Sequence, residues 1–218
     1  MARFLQKELE KMKMMLLSLG TLVEERVHMA IDAIETKNAD IAARIIETDY
    51  EIDEMEVEVE EECMKILALH QPVAVDLRFL IAVIKINNDL ERIGDQAVNI
   101  AERVDILARS KVQDIFFDYT PMAEKAEIML KNSLDSFVNL DVDLAFKTLA
   151  MDDEVDNIKV KAYNLIKQSM IKKPNRIGYL INLLLISRHI ERLADHATNI
   201  AEEVIYLIEG NIIRHGKG

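Results

Sequence analysis

A fourteen-residue stretch is written twice in this chain, once as DLERIGDQAVNIAE over Asp89–Glu102 and again as HIERLADHATNIAE over His189–Glu202. No Pro interrupts either copy, and the apolar residues recur at helical spacing, with Leu90, Ile93, Ala97, Ile100 and Val104 on one side. At about 100° per residue, Glu91, Asp95, Asn99 and Glu102 form a separate polar stripe. Each copy therefore predicts an amphipathic helix carrying a line of carboxylates. A chain that repeats such a helix is expected to repeat the unit around it.

Half of the 218 residues are hydrophobic, and 6 Gly and 3 Pro leave few places to turn. The expected fold is all-α, as two tandem three-helix bundles of long antiparallel helices related by internal duplication, over residues 1–112 and 113–218. The first helix is predicted from about Phe4 to Glu35, with Leu9, Met12, Leu16, Leu19, Val23, Val27, Ala30 and Ile34 on one stripe. The second runs from an N-cap at Asn38 or Asp40 to about Leu69, and His70-Gln71-Pro72 ends it. The third carries the first signature to about Ala108. Ser110–Tyr119 reads as the junction between halves, and Thr120-Pro121 as N-cap and first residue of the fourth helix. After a turn at Asn139–Asp143 the fifth helix begins near Asp143, Lys172-Lys173-Pro174-Asn175 ends it, and the sixth carries the second signature to about Glu209.

The net charge of −12 lies mainly in the first half, and no basic stripe is read in the chain, which argues against nucleic acid as a partner. The single cysteine, Cys63, excludes an intrachain disulfide and suits a reducing compartment. Met14–Val23 has the length of a signal-peptide core, but Glu24 and Glu25 follow it directly without a cleavage site, so it reads as core helix. No apolar run is long enough to span a bilayer. A soluble, cytoplasmic protein is expected.

Register then places the acids. An antiparallel hairpin about Pro72 sets Asp49 level with Asp95 and Asp53 level with Glu91. A hairpin centred between Lys173 and Pro174 does the same for Asp152 with Asp195 and Asp156 with Glu191. Like charges at i,i+4 oppose helix formation by roughly 0.2–0.5 kcal/mol per pair, and facing pairs add repulsion. A divalent or trivalent cation such as iron, Mg or Mn, held by carboxylates from facing helices, would neutralise them. The alternative is that they are solvated or paired with Arg92, Arg192, Lys85 or Arg188. His189 and His196 flank the second line and offer nitrogen ligands there, whereas Glu25-x-x-His28 lacks the second copy that a di-iron bundle needs. No Gly-rich phosphate loop, nucleophile elbow or Cys/His cluster is present, and nothing demands an enzyme.

With its twin signatures and paired acidic segments, the chain resembles the PhoU family, the phosphate-specific transport system accessory proteins of bacteria, over nearly its whole length. The resemblance implies metal clusters in some members, here at Asp49, Asp53, Glu91, Asp95, Asp152, Asp156, Glu191 and Asp195, with Asn99 and Asn199 extending the same faces. It implies self-association as a homodimer or higher homo-oligomer. The partners it implies are the nucleotide-binding subunit of the phosphate ABC transporter and a sensor histidine kinase, with the membrane reached only peripherally through them. The implied role is negative regulation of the phosphate-starvation response, with no cofactor needed for catalysis. The competing readings are a carboxylate-bridged, ferritin-like metal protein and an accessory protein of a different anion transporter. His189 and Ala194 stand where the first copy has Asp89 and Gly94, so the second site is expected to differ in metal affinity.

Overall fold

The computed structural model describes residues 2–111 and 117–210, and in these there is no strand. The helices are α1 (Ala2–Thr36), α2 (Ala39–Glu47), α3 (Tyr50–His70), α4 (Ala74–Ala108), α5 (Thr120–Asn139), α6 (Val142–Lys172) and α7 (Ile177–Glu209), with a 3₁₀ turn at Pro174–Arg176 before α7. The boundary expected at 112/113 and most of the expected junction lie outside the described residues, as does the chain beyond Gly210.

The apolar stripe of α1 is buried from Leu9 to Ala30 because its residues return to one side every three or four positions. In α4, Leu90, Ile93, Ala97, Ile100 and Val104 are all buried, as the spacing predicts. α1, α2, α3 and α4 pack as one bundle and α5, α6 and α7 as another. α1 lies on α5, and α4 runs along α7. With 35 residues each, α1 and α4 are roughly 50 Å long.

The helix expected to run unbroken from about Asn38 to Leu69 is instead divided at Thr48 and Asp49. Thr48 has φ −108° and ψ 12°, and its hydroxyl donates to the Arg44 carbonyl at 2.8 Å, a side-chain bond that competes with the helical ladder and bends it. Gly94 of α4 sits against α3, where an added Cβ would lie 2.9 Å from Cδ1 of Ile52. α3 therefore approaches α4 closely at the height of the carboxylates.

One of the two expected caps is in place, and a third was not foreseen. Asn38 caps α2, its side-chain oxygen accepting from the backbone N–H groups of Asp40 and Ile41 at 2.9 and 3.2 Å. Asp141 caps α6 by accepting from Leu144 N–H at 3.0 Å. Thr120, expected as the cap of α5, is already helical; Tyr119 precedes it, and Asp118 accepts from its N–H at 3.0 Å. Replacing Asn38 with Ala should lower unfolding free energy by about 1 kcal/mol while Asp at the same place is nearly neutral, as measured by urea denaturation.

The seam between the bundles is symmetric. His196 Nδ1 meets Asp89 Oδ1 at 2.8 Å, and its counterpart contact, His189 Nδ1 to Gln96 Oε1, is 2.9 Å. Shifting either pair by one repeat gives the other, so α4 and α7 run antiparallel about a quasi-twofold axis that passes near Arg92 and Arg192. Farther out, Lys85 pairs at 3.1 Å with Glu203, which is only 1% exposed, and lies over the Tyr206 ring at 5.4 Å.

Candidate functional site

The first cluster forms where α3 crosses the middle of α4. Asp49, at the start of α3, has its pKa raised above the ordinary carboxylate range by burial and then by Asp53 and Asp95; Arg26 opposes them. Glu91 is raised by burial and then by Asp95, with Arg92 opposing and Asp53 and Glu56 adding to the rise. The four acids paired by register are thus brought together, as the hairpin about Pro72 requires. Arg92 lies 3.3 Å from Glu91 and 3.2 Å from Asp95. Arg26, buried in α1, is ion-paired with Glu51 instead.

The second cluster has the same plan with a different filling. Asp152 is raised by burial, then by Asp156, Asp153 and Glu191, and Asp195 is pushed up to about 6 by burial, Glu191, Asp152 and Asp156. Asp195 stands at an open rim, yet the surrounding helices exclude enough water for its neighbours' charges to be felt strongly. Lys159 enters this cluster, ion-paired to Glu191 and 3.5 Å from Asp156. In the first cluster the corresponding residue of α3 is Glu56, whose own pKa is raised by burial, Glu60 and Asp53.

Glu56 and Lys159 are the residues that sequence reasoning passed over. Both follow the second Asp of their motif by three positions, which puts them on the same helix face, so the signal was available. The cations offered as alternative partners act differently from that reading. Lys85 is committed to Glu203, and Arg92 alone of the four has ion pairs with these acids among the described residues. His189 and His196 do not join the second cluster, because both reach across the seam to α4. His28 meets Glu127 on α5 at an exposed site. Cys63 is buried, and its thiol is pushed up to about 12, which makes it unreactive.

Between the clusters, a polar groove of roughly 630 Å³ follows the seam, lined by Arg92, Asp95, Asn99, Arg192, Asp195 and Asn199 among others. Both acidic clusters therefore open onto one face. Asn99 donates to the Asp95 carbonyl at 2.7 Å, whereas Asn199 crosses to Asp89 at 3.1 Å.

An all-oxygen donor set suits a hard cation, and the first cluster fits one better than the second. Glu91 Oε2 is buried without a hydrogen bond; Arg92 Nε approaches it, but out of line. Lys159 partly neutralises the second cluster from the facing helix, whereas Arg92 in the first pairs, among the described residues, only with acids of its own helix. Among the described residues no three His, Cys, Asp or Glu side chains are gathered into a ready metal-binding group. A cation would have to draw the carboxylates inward.

An internally duplicated helical unit with acidic clusters at equivalent heights defines the class to which this all-α protein belongs. The PhoU domain family model matches residues 16–104 and 120–204. Two relatives called phosphate-specific transport system accessory protein PhoU homolog are similar over almost the whole chain. The one from Aquifex aeolicus is 38% identical, covering 96% of this chain and 95% of its own, and the one from Clostridium acetobutylicum is 34% identical, covering 95% of each. The crystal structure of PhoU from Pseudomonas aeruginosa superposes with a TM-score of 0.91 at 36% identity, covering 94% of this chain and 99% of that one. That of the phosphate transport system regulatory protein PhoU from Streptococcus pneumoniae gives 0.86 at 30% identity, covering 95% and 98%. The chain belongs to the PhoU family.

Because Asp195 holds its proton more tightly folded than unfolded, the native state binds more protons between the ordinary aspartate value near 3.8 and about 6. Its contribution to stability is full below that window and is lost as pH rises through it. Asp195→Asn should therefore raise the melting temperature at pH 7 and flatten its fall between about pH 4 and 6. An unchanged profile in the variant would show that Asp195 does not titrate in this range.

Proposed function

We propose that this protein is a negative regulator of the phosphate-starvation response, working at the cytoplasmic face with a phosphate ABC transporter and a sensor histidine kinase. The observation that carries the reading is similarity across nearly the whole chain, signatures and acidic segments included, to proteins named as accessory to phosphate-specific transport. The site adds physical support. Long helices with acidic clusters and an open polar seam present surfaces for docking. In this reading the transporter's state changes which surface is offered to the kinase, and self-association as a homodimer arranges the surfaces. In cells lacking the protein, output from a phosphate-starvation promoter should be high in phosphate-rich medium and return to low when the gene is restored. Low output in the deletion strain would remove the regulatory role.

Glu91 Oε2, buried without a hydrogen bond and approached by Arg92 Nε at 3.3 Å, favours a second element, a cation held by Asp49, Asp53, Glu91 and Asp95 with Glu56 at its edge. When bound, the cation would supply positive charge that ties α3 to α4 across Gly94. Asp152, Asp156, Glu191 and Asp195 form the weaker site, since a cation there competes with the Lys159 ammonium. In equilibrium dialysis against Mn²⁺, Glu91→Gln with Asp95→Asn should remove binding at the first cluster. Lys159→Glu, which gives the second cluster the makeup of the first, should raise bound metal per chain. Equal stoichiometry in all three proteins would eliminate both sites.

A further inference from the structure

The overall acidity of the chain conceals a basic segment, and the absence of a basic stripe read from the sequence does not hold locally. From Asn157 to Ile190 there is no Asp or Glu, while Lys159, Lys161, Lys167, Lys172, Lys173, Arg176 and Arg188 all fall within it. The corresponding stretch of the first half, residues 54–90, holds eight acids against three bases. The acid-free segment is the second half of α6, the 3₁₀ turn and the first half of α7, so it forms one hairpin end of the elongated molecule.

This end is also apolar on its outside. Ile171, in the last turn of α6, is 76% exposed, and Leu165, Ile177 and Ile181 stand out around it. Lys167, Lys172 and Lys173 are exposed among them. The α3–α4 hairpin is its repeat, and there Leu69, Val73 and Val75 are likewise exposed, but the one lysine beside them in this hairpin, Lys65, is ion-paired to Glu62. Because α4 and α7 are antiparallel, the two hairpin ends point in opposite directions. The duplication thus supplies an apolar tip at each end and makes only one of them cationic.

We propose that the α6–α7 tip docks directly on an anionic lipid surface, placing Ile171 at the headgroup boundary with lysines around it. A convex tip of aliphatic side chains ringed by Lys fits an interfacial membrane contact. A nucleic acid would leave the aliphatics in water, and an acidic protein helix would need a groove rather than a projecting turn. No described helix is long and apolar enough to cross a membrane, so the contact is peripheral. The acidity of the remaining chain is repelled by the same surface, which makes the orientation unique: the long axis stands away from the membrane and the α3–α4 tip points outward.

The test is co-sedimentation of the full chain with protein-free vesicles of phosphatidylcholine containing roughly one third phosphatidylglycerol. The protein should pellet with these vesicles, remain in solution with pure phosphatidylcholine, and be released by salt. Lys167→Gln, Lys172→Gln and Lys173→Gln together should lower partitioning about a hundredfold, at roughly five-fold per basic side chain. Ile171→Ser, at a position exposed enough to leave folding intact, should weaken it as well, while Leu69→Ser at the opposite tip should not. Equal binding to both vesicle types, binding unaffected by the triple variant, or no pelleting would each overturn the proposal. Pelleting that requires transporter in the vesicles would also overturn it and assign the tip to a protein contact. The vesicles hold neither transporter nor kinase, so failure here is distinguishable from failure of the regulatory reading.

Discussion

The antiparallel packing of α4 on α7 is the constraint on which the remaining arrangement depends. Each helix buries one apolar stripe toward its own bundle and meets the other repeat with a second set of residues, so the signature helices are covered on more than one side. The polar atoms that this brings inside are paired across the axis, Asp89 with His196 and Gln96 with His189. Buried polar groups left unpaired would each cost about 1–3 kcal/mol, so the register of the two helices is fixed at these contacts. Sliding one helix by a turn would strand all four. With that register set, the outer helices α3 and α6 are carried to equivalent positions, and the carboxylates they hold fall on one face.

The duplication explains the plan, and the divergence within it explains the differences between halves. One position on the outer helix decides the electrostatics of each cluster: Glu56 adds a fifth acid to the first, and Lys159 supplies a counter-charge to the second. Asp89 and His189, equivalent in sequence, each meet a residue of the other repeat at the seam, Asp89 facing His196 and His189 facing Gln96. Gly94 and Ala194 differ for a packing reason on the first side, where Ile52 fills the space a methyl group would take. Divergence at these positions therefore gives each copy its own contacts within a shared plan.

Much of this was legible in the sequence. The helices, their buried stripes and the pairing of Asp49 with Asp95 and Asp152 with Asp195 follow from periodicity and from the position of two Pro-containing turns, because an antiparallel hairpin has only one free parameter once its turn is known. The bend at Thr48 was not legible, since Thr residues inside helices usually leave them intact and the competing bond to Arg44 depends on local geometry. His189 and His196 were read as neighbours of the acids in their own helix. Their true partners lie on α4, about a hundred positions away, and hairpin register within one repeat says nothing about how two repeats meet. Glu56 and Lys159 stood in plain view, but a motif of two acids drew the reading away from the third position on the same face.

Holding like charges together has a consequence for how the protein responds to its surroundings. The raised pKa values of Asp49, Glu91, Asp152 and Asp195 record free energy stored against the fold, with burial as the largest cause in each case. The long core and the seam tolerate it, and any species that neutralises these acids recovers part of it. Since such a species stabilises only the arrangement that gathers the acids, its binding and the closeness of α3 to α4, or of α6 to α7, are thermodynamically linked. The two halves differ in what already opposes the repulsion, Lys159 reaching Glu191 from the facing helix in one and Arg92 pairing with Glu91 and Asp95 of its own helix in the other.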